Sequence, residues 1–198
     1  MQRTWREDAD KLTFIACLPL EKGLDAQEPG DLGASVVAGE GDGEERMIGD
    51  VNLFLGVAYE EDADGTEMLD RPYLNGEAEL MIASLEHRGR GLGRAALLSF
   101  FEYVRRHADT IIAQFSAGEE GAGGLEGLRK GGLRLGVKIG RENVRSRGLF
   151  ESVGFEQVGG ENYFGEVELR LVKGVEGIPV VKGWKEVRYV REDAEEGR

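Results

Sequence analysis

The chain has few of the residues that build metal sites, disulfides and membrane spans. Its 198 residues include one cysteine, Cys17, and two histidines, His87 and His107. This excludes an internal disulfide, a cysteine-rich zinc site and a multi-histidine centre, so we expect no metal. The longest apolar run, over residues 12–20, is far shorter than the roughly 20 residues of a transmembrane helix. The first ten residues have no signal-peptide core. We therefore expect a cytoplasmic protein without a membrane partner, with the nucleus as an alternative location.

Proline is scarce and glycine is abundant. The chain has 4 prolines and 31 glycines, a glycine share of about 16% against a usual share of roughly 7%. Much of the excess lies in three glycine-rich or acidic stretches, near residues 21–45, 60–69 and 117–127, which we predict to be loop insertions. We expect one domain over residues 1–173 that carries these insertions, followed by a C-terminal tail over residues 174–198.

Positive charge is also scarce, and it is unevenly distributed. The net charge is −13, which argues against general binding of nucleic acid or anionic membranes. Residues 88–147 nevertheless carry 12 Lys and Arg against 6 Asp and Glu, a net charge of +6, so the remaining residues carry −19. The positive centre is consistent with a small polyanion site, or simply with solvated helix faces.

The hydrophobic periodicity predicts the order β-β-β-α-β-α-β-β. The predicted strands cover residues 12–18, 47–55, 77–83, 133–139, 155–158 and 163–172, and the predicted helices cover 92–107 and 144–153. A sheet with few helices of this kind belongs to the α/β or α+β class.

A turn rich in glycine and arginine carries the strongest chemical signal. It reads Arg88-Gly89-Arg90-Gly91-Leu92-Gly93-Arg94 between a predicted strand and a predicted helix. Glycines allow main-chain N–H groups to approach a ligand, and a helix N-terminus favours phosphate. An ordinary surface connection is the alternative. The Gly-Lys-Ser/Thr of a P-loop is absent, and a dinucleotide fingerprint would begin too far beyond the strand.

The arrangement of strand, Arg-x-x-Gly-x-Gly and helix resembles motif A of the GCN5-related N-acetyltransferase (GNAT) superfamily. Residues 143–146 and 149–155 are similar to the pattern of the branch that includes the ribosomal-protein alanine acetyltransferases. Residues 5–11, 13–15, 49–55, 79–82, 138–140 and 155–158 resemble the eukaryotic N-acetyltransferase 9 family more closely still. The resemblance implies a mixed, mostly antiparallel central sheet with flanking helices. Members begin with a strand and one or two helices before the segment that matches Trp5 to Asp10, so we expect the sheet to be incomplete on its N-terminal side.

The resemblance also implies acetyl transfer from acetyl-CoA, as a co-substrate, to an amine of a protein or peptide. Arg88 to Arg94 would hold the pyrophosphate, and backbone groups at Ile82 and Ala83 would pair with the pantetheine arm beside a separated strand at residues 135–139. Asn143 would touch the arm, or would only cap the second helix, a role that asparagine favours. The family also makes tubulin or microtubules candidate partners.

Two glutamates are candidates for the general base. Glu77 and Glu79 lie two residues apart on one strand and therefore face the same side, and neighbouring carboxylates raise each other's pKa. We prefer Glu79, whose block matches the family better; a solvent-facing strand side is the alternative. On or after the second helix the superfamily often has a tyrosine, which could act as general acid for the departing thiolate. This chain has Phe150 there, so Ser146 or Tyr163 are the candidate acids. A non-catalytic acetyl-CoA-binding or protein-interaction module is therefore the alternative function.

Overall fold

The structure is a computed structural model that describes residues 8–19, 35–39, 41–118 and 124–190. Several predicted segments lie wholly or partly outside these residues: the block that begins at Trp5, most of the loop at 21–45, the middle of the loop at 117–127 and the end of the tail. None of the helices in these four ranges is both long and apolar enough to cross a bilayer.

Eight strands and three α-helices follow one another along the described chain. They are β1 (Lys11–Cys17), β2 (Ser35–Val37), β3 (Met47–Glu61), β4 (Glu67–Ile82), α1 (Leu92–Gly118), α2 (Gly124–Gly131), β5 (Leu133–Gly140), α3 (Val144–Glu151), β6 (Glu156–Glu161), β7 (Glu166–Arg170) and β8 (Arg188–Val190).

Six strands form one sheet in the order β1-β3-β4-β5-β7-β6, while β2 and β8 form a separate parallel pair. Within the six-stranded sheet, β4 and β5 run parallel and every other neighbouring pair is antiparallel. The helices α1 and α2 lie in the connection between these two parallel strands, which requires a long crossover. The predicted class, a mixed and mostly antiparallel sheet with flanking helices, is confirmed.

The hydrophobic core lies between one face of this sheet and the helices. Along α1, Leu97, Phe101 and Val104 recur at helical spacing and are fully buried. The ring of Phe101 packs 5.5 Å from that of Phe155, which in turn contacts Phe150 of α3. Since α1 and α3 both pack into this cluster, they cover the same face of the sheet.

The opposite face, here called the open face, is covered by no described element. Strand alternation places Asn52 and Phe54 of β3 on it, together with their cross-strand partners Glu79 and Glu77 of β4. The residues between them, Leu53 and Ala78, point into the core. The open face is therefore the more polar side of the sheet.

Two of the predicted loops are largely regular structure. The loop predicted at residues 60–69 shrinks to a turn at 62–66, because β3 and β4 continue into it as a long hairpin. Asp62 Oδ1 fixes this turn by accepting hydrogen bonds from the N–H groups of Asp64 and Thr66. In the region predicted as a loop at 117–127, α1 extends to Gly118 and α2 begins at Gly124.

The C-terminal segment, residues 178–190, packs along α1. Trp184 Nε1 donates a 3.0 Å hydrogen bond to the carbonyl of Ser99, and the guanidinium of Arg106 lies 4.6 Å from the Trp184 ring. Glu186 contacts His107 at 2.9 Å. At its C-terminal end the segment forms β8, which pairs with β2. The segment is therefore held by α1 at Trp184 and Glu186 and by β2 at residues 188–190.

Candidate active site

The parallel strands β4 and β5 separate partway along the sheet. Their pairing runs from Leu74 opposite Leu133 to Glu77 opposite Gly136 and then stops. Both strands continue past this point, β4 to Ile82 and β5 to Gly140. The strands diverge within residues 135–139, where the resemblance implied a gap for an extended ligand.

The glycine turn follows β4 after a short 3-10 helix, Leu85–His87. Gly89 and Gly91 adopt φ angles of +71° and +81°, a region that side chains with a Cβ rarely occupy. A Cβ added at either glycine would meet no atom within 4 Å, so the space beside the turn is open. The main-chain N–H groups of residues 89–94 donate no hydrogen bond to another described residue. Six unpaired donors at the N-terminus of a 27-residue helix are an arrangement that favours anions, so residues 89–94 are a candidate anion-binding cradle.

The separation of β4 from β5 beyond Glu77 and Gly136 is here called the fork. A cleft of about 940 Å³ runs from β4 beyond the fork to the glycine turn. It brings together most of the predicted binding residues: Ile82, Arg88, Gly89, Gly91, Gly93, Arg94 and Asn143. Gly93 is helical, and a Cβ there would meet Leu80 at an ordinary 3.4 Å. The predicted turn and the predicted helix N-terminus therefore line the same cleft.

Arg88 lies differently from its predicted role. Its Nε donates to the carbonyl of Ile82 at 2.7 Å and its Nη2 to the carbonyl of Ala83 at 3.3 Å. The N–H of Ala83 donates to the carbonyl of Ile48 at 2.9 Å. The carbonyls of Ile82 and Ala83 are therefore bound by Arg88, and the N–H of Ala83 is bound by β3. Arg88 thus fastens the turn to the end of β4. The polar main-chain groups of Ala83, which we expected to face a pantetheine arm, are engaged within the protein.

The remaining residues of the turn divide between two sides of α1. Arg90 is exposed, has no ion pair with a described residue and does not line the cleft. Leu92 lines a separate apolar groove of about 530 Å³ between β1, α1 and the C-terminal segment. Arg94 lines the cleft, and its Nη2 lies 3.5 Å from the carbonyl of Ser152.

Asn143 caps α3 and also faces the cleft. Its side-chain oxygen accepts a 3.2 Å hydrogen bond from the N–H of Ser146. The two roles left open by the sequence are therefore compatible.

Sequence reasoning missed Arg145 and gave His87 no role of its own. Arg145 lines the cleft from the first turn of α3, where a cation opposes the helix dipole. That unfavourable position is the sequence signal that could have identified it, since a bound anion would offset the cost. His87 also lines the cleft, and its buried Nδ1 has no hydrogen-bond partner among the described residues.

The two candidate bases share one face but have different surroundings. Glu77 Oε2 lies 2.6 Å from Lys138 Nζ, and this hydrogen bond is the main cause that raises the pKa of Lys138. Glu79 is exposed and makes no hydrogen bond or ion pair with any described residue. Glu77 is the last residue of β4 that pairs with β5. Of the two glutamates, only Glu79 therefore lies in the unpaired part of β4.

The candidate general acids differ in accessibility. Phe150 is 1% exposed and belongs to the core, so its position does not face the cleft. Tyr163 is 97% exposed in the β6–β7 turn and does not line the cleft, whereas Ser146 does. Across the four described ranges, no three His, Cys, Asp or Glu side chains are grouped as metal ligands.

Comparison with known proteins identifies several curated relatives, although no protein-family profile matches the chain. The N-acetyltransferase 9-like protein of Schizosaccharomyces pombe is 34% identical over 188 residues, which cover 87% of this chain and 75% of that protein. The human Alpha/beta-tubulin-N-acetyltransferase 9 is 35% identical over 86% of this chain and 60% of its own length. The mouse protein of the same name is 36% identical, and the match spans 52% of it.

Solved structures show a weaker similarity to the chain. Arabidopsis thaliana NAA60 in complex with a bisubstrate analogue has a TM-score of 0.41 and 14% identity, over 81% of this chain and 75% of that one. A spermidine N-acetyltransferase SpeG chimera from Vibrio cholerae and hSSAT has a TM-score of 0.42 and 15% identity, over 86% and 73%.

Proposed function

Because the chain belongs to the N-acetyltransferase 9 family of GNAT acetyltransferases, we propose that it transfers the acetyl group of acetyl-CoA to an amine of a protein or peptide acceptor. The observation that carries this proposal is the row of six unpaired N–H groups at residues 89–94, next to the fork between β4 and β5. Coenzyme A has the matching shape, since it joins a pyrophosphate to an extended arm.

The residues of the cleft fit this co-substrate. The N–H groups of the turn and the dipole of α1 would bind the pyrophosphate, and the space beside Gly89 and Gly91 leaves room for its oxygens. Arg94 of α1 and Arg145 of α3 both line the cleft and supply positive charge to it. The unpaired edges of β4 and β5 beyond Glu77 offer main-chain partners to the pantetheine arm, as a peptide strand would find.

The protein's own groups supply proton transfer and orientation. Acetyl-CoA would provide the thioester, and the acceptor would approach it from the open face beside Glu79. An ammonium has no lone pair, so the free carboxylate of Glu79 takes a proton, directly or through water, before the amine attacks the thioester carbonyl. Ser146, which lines the cleft, can donate its proton to the departing thiolate while it recovers the second proton that the nitrogen releases. No covalent enzyme intermediate is required.

The acceptor is proposed from the names of the relatives. Several of them are called alpha/beta-tubulin N-acetyltransferases, so an amine of tubulin is our first candidate. The chain spans 52–60% of the two mammalian relatives described above, and we therefore propose the acceptor for this chain separately from its fold. A cytoplasmic location remains a prediction.

The decisive experiment replaces Gly91. The change Gly91→Val forces a β-branched residue into a φ of +81° and fills the cradle, so acetyl-CoA affinity measured by calorimetry should fall at least tenfold, about 1.4 kcal/mol. The matched control is Gly65→Val, at φ +79° with equally open surroundings but in the β3–β4 turn. Equal affinity in the two variants would contradict the proposal.

The alternative is a non-catalytic acetyl-CoA-binding or microtubule-associated module. The observation that favours it is that no tyrosine lines the cleft among the described residues, which leaves Ser146 as the candidate acid there. Release of free thiol from acetyl-CoA in the presence of amino-terminal peptides separates the two functions, because a module binds acetyl-CoA without consuming it.

A further inference from the structure

Thr13, Asn52 and the proposed base Glu79 form one cross-strand row on the open face, and Asp50 lies next to this row. The strand register places Thr13 of β1 opposite Asn52 of β3, and Asn52 opposite Glu79 of β4. Asp50 lies two residues before Asn52 and opposite Met81. Met81 lines the cleft, so Asp50 stands beside the unpaired stretch of β4.

Hydrogen bonds fix the orientation of Asp50. The hydroxyl of Thr13 donates to Asn52 Oδ1 at 2.7 Å, and Asn52 Nδ2 donates to Asp50 Oδ2 at 2.6 Å. The amide orientation is determined by chemistry, because an ionised carboxylate can only accept. The chain of donors therefore ends at one carboxylate and leaves its other oxygen, Oδ1, available to a ligand.

Most other charged groups on this face neutralise one another. Glu77 pairs with Lys138 at 2.6 Å, and Glu168 pairs with Arg170 at 2.6 Å. In contrast, neither Asp50 nor Glu79 has an ion pair with a described cation. These two carboxylates occupy diagonal positions on adjacent strands, a spacing that side chains of this length can bridge through a shared ligand.

Close packing of the main chain holds this pair near the fork. A Cβ on Gly49 would lie 1.8 Å from the carbonyl oxygen of Met81, so β3 approaches β4 as closely as glycine permits. Asp50 follows directly in sequence. Its position relative to the end of β4 is therefore set by the backbone rather than by a flexible loop.

We propose that Asp50 is a further acceptor-binding residue, which receives an N–H of a protonated primary amine, and that Asn52 and Thr13 are positioning residues that aim it. The inference rests on the proposed function. It specifies the acceptor as an amine that arrives as an ammonium, held between Asp50 and Glu79.

The proton balance follows from this arrangement. The bound ammonium loses one proton to the Glu79 carboxylate and becomes a neutral amine. Its nitrogen then forms the C–N bond as the C–S bond of the thioester breaks. The second proton that the nitrogen releases goes to the thiolate, directly or through solvent, which leaves a neutral amide and free CoA thiol.

The test measures binding and turnover separately. The probe is a peptide with the amino-terminal residues of β-tubulin, prepared with a free or a formylated amine, and its affinity is measured by calorimetry with the full chain. We expect the wild-type protein to prefer the free amine about tenfold and Asp50→Asn to lose that preference. In turnover, Asp50→Asn should raise the peptide KM about tenfold with a smaller change in kcat, while acetyl-CoA affinity stays unchanged.

The positioning residues give a graded result. Asn52→Leu and Thr13→Val should each raise the peptide KM severalfold, and Thr13→Ser, which retains the hydroxyl donor, should restore it. Glu67→Gln is the matched control: this exposed acid lies at the start of β4, at the hairpin end away from the fork, and should have no effect.

Two results would overturn the inference: a wild-type protein that does not prefer the free amine, or an Asp50→Asn variant that keeps the preference. Failure of the proposed function looks different. In that case no peptide would release thiol from acetyl-CoA, although the free-amine preference and its dependence on Asp50 would persist.

Discussion

At the scale of single residues, two glutamates on β4 differ in what they can do. Glu77 is held by Lys138 at 2.6 Å, whereas Glu79 has no partner among the described residues. One carboxylate oxygen of Glu77 is occupied by this ion pair, whereas both oxygens of Glu79 can contact a ligand. Glu77 therefore links β4 to β5 through Lys138, while Glu79 remains available to take a proton.

We predict that Glu79→Gln lowers kcat about 10²- to 10⁴-fold and leaves acetyl-CoA affinity unchanged, since a general base contributes roughly this much. Glu77→Gln, two residues away on the same face, should reduce kcat by less than tenfold. Steady-state turnover and calorimetry on both variants check this. Similar losses of kcat in both would contradict the division of roles.

Glu102 is a buried acid whose effect depends on pH. It is fully buried on α1, and hydrogen bonds from Arg105 and then Arg106 lower its pKa from 4.5 to about 2. A carboxyl whose pKa is lower in the folded state stabilises the protein above its usual pKa. That contribution is lost as the pH falls from about 4.5 towards 2.

We expect Glu102→Gln to lower Tm at pH 7 by about 5 °C, because two arginines lose their charged partner. The difference between variant and wild type should narrow between pH 4.5 and pH 3. Thermal unfolding followed by circular dichroism at pH 7, 5 and 3.5 tests this. A difference that is constant across the series would show that the charge of Glu102 contributes no stability.

At the scale of elements, glycine determines how closely the elements pack. A Cβ on Gly131 of α2 would lie 2.1 Å from the carbonyl oxygen of Pro72, and one on Gly127 would lie 2.9 Å from the Pro72 side chain. The helix α2 therefore packs directly on the backbone of β4. Its glycines are contact residues, although in the sequence they resemble a loop.

Gly49 is the corresponding contact between β3 and β4. We predict that Gly49→Ala destabilises the fold by about 1–3 kcal/mol, since a Cβ cannot fit against the Met81 carbonyl, and weakens acetyl-CoA binding by displacing the end of β4. Urea unfolding and calorimetry measure the two effects. Gly56→Ala, on the same strand with nothing within 4 Å, is the control and should be close to neutral.

These contacts explain how far the sequence could predict the structure. The order of the central strands and helices, the turn at Gly89 to Gly93 and the separation of β5 from β4 all follow from local patterns or from the family resemblance. The helix α2 and the long β3–β4 hairpin were not predicted, because glycine and acidic residues indicate loops unless distant backbone contacts stabilise them.

The site shows the same limit. Arg88 was predicted to hold phosphate, yet its guanidinium binds the carbonyls of Ile82 and Ala83. Sequence alone identified the turn, but it could not indicate whether an arginine in it would face a ligand or its own main chain. The relay from Thr13 to Asp50 was also not predictable, since it joins β1 to β3 through strand register.

At the scale of the whole molecule, the C-terminal segment connects distant parts of the chain. We predict that Trp184→Ala releases it from α1, because the change removes both the hydrogen bond to Ser99 and the contact with Arg106. Hydrogen exchange should then accelerate in β8 and in its partner β2 while the six-stranded sheet stays protected.

The control for this prediction is Val180→Ala, a residue of the same segment that is 75% exposed. Unchanged exchange in Trp184→Ala would mean that the β2–β8 pair and the remaining contacts hold the segment without the indole.

The cradle at residues 89–94 also affects the choice of buffer for binding measurements. Donors that lack a protein acceptor do not distinguish the source of an oxyanion, so sulfate or inorganic phosphate in a storage buffer will compete for them. The apparent dissociation constant for acetyl-CoA should therefore rise with the concentration of sulfate or phosphate. It should rise more steeply than in chloride solutions of the same ionic strength. Titrations in phosphate-buffered saline will underestimate how tightly this protein holds its donor substrate.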